Sequence, residues 1–147
     1  MLNLLKNILN SQNSKENNNN KDLELLCGLM IEAAYTDGTI GESELKKIKF
    51  SLINVFDENE KEVDLVLEQA IKNKNNSKSL HYYTSFINKN FDSDKKLLLI
   101  EALWEIVLSD GEIHDFESNL IRRLAGLLYI SDVNSGNARK RALNKNS

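Results

Sequence analysis

An all-α fold is what three features of this sequence predict. Proline is absent and glycine occurs only six times in 147 residues, whereas sheet proteins of this length rely on both for their turns. From Asp22 onward, apolar residues recur at the three-to-four-residue spacing of helices rather than with the alternation of strands. The chain also resembles itself at a shift of 73 residues, each copy reading as helix, Asp-Gly turn, helix.

The first element is short. Met1, Leu2, Leu5, Ile8 and Leu9 share one face of an amphipathic segment over residues 1–9. The stretch "NSQNSKENNNN" (10–20) is polar and low in complexity, and reads as a flexible Asn-rich linker. Docking on protein is the expected fate of the terminal segment, because Lys6 is its single charge for anionic lipid. Residues 21–147 then make one helical domain, long enough for a core of its own.

Within that domain, "KDLELLCGLMIEAAYT" is apolar nearly all round and predicts a central buried helix. In "ESELKKIKFSLINVF" the stripe is Leu45, Ile48, Leu52 and Val55; in "ENEKEVDLVLEQAIKN" it is Val63, Val66, Leu67, Ala70 and Ile71. "KNNSK" is a loop, and "SLHYYTSFINKNF" a shorter helix. "DSDKKLLLIEALWEIVLS" is a second all-round apolar helix, with Ser93 or Asp94 as its expected cap. "DFESNLIRRLAGLLY" carries Ile121, Leu124, Leu127 and Leu128 inward, and Ser131 opens a last helix weakened by Gly136.

Residues 32–48 and 105–121 are the two copies, identical at six of 17 positions. The identities are Glu32/Glu105, Asp37/Asp110, Gly38/Gly111, Ile40/Ile113, Glu44/Glu117 and Ile48/Ile121. Two related helical hairpins, packed with pseudo-twofold symmetry, are the expected architecture. The copies look like worn calcium loops, with Gly at loop position 6 and Glu at 12. Positions 1 and 3, however, are Ala33 and Tyr35 in one copy and Ile106 and Leu108 in the other. Apolar side chains there cannot coordinate a hard cation, so neither copy is an EF-hand.

Capping accounts for most of the repeat. Gly38 and Gly111 would take positive φ at a helix end, and the Asp before each would bond local amides. With helices starting after Gly41 and His114, Glu44 and Glu117 fall at the third position and reach back to the cap. Glu32 and Glu105 are different: each is a carboxylate in a nearly apolar helix, and must be paired, coordinated or exposed. Grouped with the turn acids, Glu32, Asp37 and Glu44, and likewise Glu105, Asp110 and Glu117, form oxygen-only candidates for Ca²⁺ or Mg²⁺. Zinc is not indicated, since His114 is the one nearby nitrogen and Gly41 replaces it in the first copy. Pure capping and salt bridging is the competing reading of the same six acids.

The doubled helix–DGxIxxxE–helix pattern, the "MLNLLKNIL" start and the "ISDV…ARKRAL" end resemble the TerB-like proteins, the tellurite-resistance protein B family. The resemblance spans nearly the whole chain, and is most specific over "LSDGEIHDFESNLIRRLAGLLYIS". It implies about seven helices in two pseudo-symmetric halves, with the same six acidic positions as metal-binding candidates. It further implies a role in tellurite and other stress responses, association with membrane-linked complexes or co-chaperones, and no established catalysis.

Charge and composition narrow the function classes. A net charge of −3 gives no general attraction for nucleic acid. No apolar run approaches a membrane span and no secretory leader is evident, so the expected location is the cytoplasm. The single Cys27 lies in an apolar run, and with only His81 and His114 for bases an enzyme is the least supported class. Protein partners are expected, with Tyr82, Tyr83, Phe86 and Trp104 as anchors or, more simply, core. The basic pairs at Arg122-Arg123 and Arg139-Lys140-Arg141 read as solvated faces matching nearby acids.

Overall fold

A computed structural model of the chain describes residues 21–35, 40–73, 79–109, 111 and 114–146. The expected amphipathic segment (1–9), the linker (10–20), the 74–78 loop and the turn residues Asp37, Gly38 and Asp110 lie outside them. The described residues form seven α-helices and no strand: α1 (21–34), α2 (Glu42–Asn54), α3 (Glu60–Lys72), α4 (Leu80–Asn90), α5 (Ser93–Val107), α6 (Asp115–Leu127) and α7 (Asp132–Asn146). The all-α class predicted from the sequence is the observed one.

Helix ends follow the local chemistry. Asn59 Oδ1 accepts from the Lys61 amide at 2.9 Å, Ser79 Oγ from Tyr82 at 3.2 Å, and Ser131 Oγ from Asn134 at 3.1 Å. The start of α5 corrects the expectation by one residue: the cap is Asp92, whose Oδ1 accepts from the Lys95 amide at 2.8 Å, and Ser93 is already helical. A charged carboxylate at that position satisfies an orphan amide and meets the positive end of the helix dipole. At the other end of α6, Ile130 N–H donates to Ala125 O (2.9 Å) and Tyr129 N–H to Gly126 O (3.2 Å), the paired bonds of a Schellman turn. Tyr129 occupies its left-handed position, φ 62°, where glycine is usual.

The two helices predicted to be apolar all round are the core of the domain. On α5, Leu99, Ile100, Leu103, Trp104 and Ile106 are buried, and the helix packs against α2, α6 and α7. Each such side chain contributes roughly 1.5–3 kcal/mol on burial. Ala138 and Ala142 are the buried face of α7, and their small side chains let it lie close along α5. α1 buries Leu23, Leu26, Leu29 and Met30, and meets α4 where Gly28 approaches Tyr83: a Cβ on Gly28 would stand 2.9 Å from Tyr83 Oη. Lys49 of α2 bridges Asp64 (2.9 Å) and Glu60 (3.7 Å) of α3.

Two stripe residues depart from their expected burial. Leu127 and Ile71, each at the C-terminal end of its helix, are exposed, while Leu128 and Leu67 are buried. Successive steps of about 100° put each at the edge of its helix's buried stripe rather than at its centre. Trp104 and Tyr83 belong to the core, and Tyr82 is exposed.

Helix boundaries reproduce the sequence shift of 73. α1 and α5 end at 34 and 107, α2 and α6 start at 42 and 115, and those two finish at 54 and 127. Ile48 and Ile121, one turn past the acidic residues, are both fully buried.

Candidate functional site

Each Asp-Gly segment is followed by a helix whose N-cap residue offers no side-chain oxygen. Gly41 precedes α2 and His114 precedes α6, and neither contributes a side-chain cap bond. Glu44 and Glu117 occupy the third helical position, as the spacing predicts. Glu44 folds back over the cap: its Oε1 is 3.7 Å from where a Cβ on Gly41 would be. That is the posture of a carboxylate serving the helix start. Glu117 is the more enclosed of the pair, only 2% exposed. Gly111 has φ +80°, the left-handed conformation expected of it before α6.

Glu105 points elsewhere. It is 6% exposed on α5, and its Oε1 lies 3.0 Å from Lys145 Nζ on α7. Lys145 also reaches Glu101 Oε1 at 3.2 Å, and Arg141 Nε donates to Glu101 Oε2 at 3.2 Å. Two acids four residues apart on α5 thus meet two bases four residues apart on α7. Hydrogen bonds to Glu105 and then Glu101 hold the Lys145 ammonium above its ordinary pKa, against the opposing effect of partial burial. The charge within an apolar helix is satisfied by pairing across the α5–α7 contact. Glu32, its counterpart, is half-buried on α1.

Of the six acidic candidates, four are therefore described, and Asp37 and Asp110 lie outside the described residues. Among the described residues, no three His, Cys, Asp or Glu side chains gather closely enough to hold a metal ion. The donor chemistry at each turn is carboxylate oxygen, which fits Ca²⁺ or Mg²⁺ and not a zinc site. Burial pushes the Cys27 thiol up to about 12, as its apolar surroundings predict.

A family model described as tellurite resistance protein TerB matches residues 24–140. The chain belongs to the TerB family. The TerB match runs from the first turn of α1 into α7, so it takes in both Asp-Gly segments and Glu101 and Glu105 of α5, and stops just short of Arg141 and Lys145. No curated protein and no solved structure matches the chain. No helix among the described residues of this TerB domain is long and apolar enough to cross a membrane.

The expectation for the basic pairs splits in two. Arg141 is matched to an acid, as anticipated, together with Lys145, which the sequence reading did not single out. Arg122, Arg139 and Lys140 instead line a groove with Trp104, Asp132, Ser135 and Gly136. No sequence signal could have separated the two sets, since neighbouring residues on one helix face different partners.

Proposed function

We propose that this TerB-family chain is a non-enzymatic, cytoplasmic module that binds a divalent cation at its acidic turns and acts through a protein partner in tellurite and other stress responses. The observation that carries the reading is Glu117: a carboxylate almost wholly enclosed at the first turn of α6, three residues after the cap and beside the Asp110-Gly111 turn. A buried carboxylate at a helix start is favoured by the dipole, and carboxylate oxygen is the donor that Ca²⁺ and Mg²⁺ take. Glu44 repeats the position at α2. Asp37 and Asp110, outside the described residues, are the other turn acids of the proposed sets, while Glu32 and Glu105 lie on the preceding helices, the latter paired with Lys145. The buried Cys27 thiol, held protonated, supports the absence of nucleophilic chemistry. The net charge of −3 supports a protein rather than a nucleic-acid partner, and a membrane-associated complex is one setting in which that partner could reside.

Calorimetric titration and thermal melting with Ca²⁺, Mg²⁺, Mn²⁺ and Zn²⁺ test this. Ca²⁺ or Mg²⁺ is expected to raise the melting temperature, and Asp110→Asn with Glu117→Gln to abolish much of the effect. No response to any cation, or an undiminished response in an Asp37→Asn/Asp110→Asn variant, would remove the site.

A second reading is a scaffold or co-chaperone-associated domain in which the acids only cap helices. Tyr129, 84% exposed at a left-handed position, and the exposed Val133 four residues on favour a partner surface. Unchanged partners after removal of residues 1–20 would exclude the terminal segment from that role.

A further inference from the structure

The α7 helix divides its positive charge. Arg141 and Lys145 are neutralised by Glu101 and Glu105 of α5. Arg139 and Lys140 turn away from those acids and, with Arg122 of α6, line a groove of about 410 Å³. None of the three forms an ion pair among the described residues. Asp132 is the one acid in the lining, which leaves an excess of two positive charges. Like charges converging without counter-charges repel one another, and such an arrangement favours a bound anion.

The floor is built to donate. Trp104 is 1% exposed, and its indole Nε1 has no hydrogen-bond partner. A buried donor left unpaired is costly, and is uncommon without a water or ligand to receive it. The Arg139 guanidinium sits over the Trp104 ring, 5.6 Å from its centroid. Its Nε is likewise buried without an acceptor. This cation–π contact holds the guanidinium at the groove, and the edge of a guanidinium can receive two oxygens of one oxyanion. Ser135, buried in the same wall, adds a hydroxyl, and Gly136 keeps the wall open: a Cβ there would meet nothing within 4 Å.

We propose that this α5–α6–α7 groove is a binding site for a phosphate-type dianion, free or as a small phosphate monoester, held by Arg122, Arg139 and Lys140. The charge excess matches a dianion, and the volume lies in the range of small-molecule sites. The site is separate from the acidic turns, and its test is independent of the cation reading.

Trp104 is the only tryptophan of the chain, so its fluorescence reports on this groove alone. The full-length protein is titrated with inorganic phosphate and with phenyl phosphate, against chloride at matched ionic strength, with thermal melting as a second readout. A saturable emission change or a raised melting temperature is expected with phosphate and not with chloride. Tighter binding of phenyl phosphate assigns the remaining volume to an organic body; equal binding assigns the site to free phosphate. Arg122→Gln and Lys140→Gln are each expected to weaken binding about ten-fold. Gly136→Leu, which adds bulk without changing charge, is expected to block it, and Arg123→Gln, one position off the groove, to leave it intact. Circular dichroism confirms that each variant folds. A response equal to that of chloride, no response in either readout, or equal losses in the Arg123→Gln and Arg122→Gln variants would overturn the proposal.

Discussion

Gly28 and Gly136 both lie inside helices, yet an added methyl is expected to move stability in opposite directions. At Gly136 the space is open, so Gly136→Ala removes backbone freedom from the unfolded chain and stabilises α7 by about 0.5–1 kcal/mol. At Gly28 the new Cβ would stand 2.9 Å from the Tyr83 hydroxyl oxygen and 3.4 Å from Cε1, and Tyr83 is buried. Gly28→Ala therefore forces the ring aside, at a cost of about 1–3 kcal/mol. Urea unfolding of the two variants checks both signs. Cys27 supplies a pH dependence at the same scale. Its folded-state value is raised from 9.0 to about 12, so the unfolded chain releases the thiol proton first. Stability is therefore full below about pH 9 and falls as pH rises toward 12. Cys27→Val is expected to flatten that slope in alkaline denaturation curves.

Among the elements, α7 depends most on what lies across from it. Its sequence is polar, interrupted by Gly136, and weak as an isolated helix. It is held by Ala138 and Ala142 against α5 and by the paired charges at its end. Lys145→Ala is expected to cost about 1 kcal/mol, because Glu105 is left enclosed without its cation while the lysine itself is largely exposed. The raised pKa of Lys145 gives this contact its own signature. The ion pair is intact below the lysine's unfolded value and is lost as pH rises through the higher folded one. Melting curves of Lys145→Ala and the parent protein should therefore converge at alkaline pH, once the ammonium has lost its proton in the folded state as well. At the α5 start the expected cap is Ser93 or Asp94, and the structure places it one residue earlier, at Asp92, whose side chain accepts from the Lys95 amide.

At the scale of the molecule, α5 is the shared wall against which α2, α6 and α7 all pack. Deleting residues 131–147 would bare Trp104 and the α5 face that α7 covers. The truncated chain is expected to lose cooperative unfolding, seen as red-shifted tryptophan emission and a broadened urea transition. Addition of Ca²⁺ is not expected to restore it, because a cation held by carboxylates before α2 and α6 does not replace the apolar burial that α7 provides.

Much of this was legible from residues in order. Helical periodicity and the lack of proline determined the class, and the 73-residue shift anticipated the matching ends of α1 and α5 and of α2 and α6. The third-position glutamates and the left-handed Gly111 followed from capping rules that act within a few residues. These are local properties, and local properties can be read along a chain. What only the tertiary structure decided was the partner of each charge. Glu105 meets Lys145 and Glu101 meets Arg141, forty residues apart in each case, whereas Arg139 and Lys140, beside them on the same helix, face an acid-poor groove. A single step along α7 rotates a side chain by about 100°. Which acid or groove it then meets depends on how α5, α6 and α7 pack together, and that is settled by burial across the whole domain.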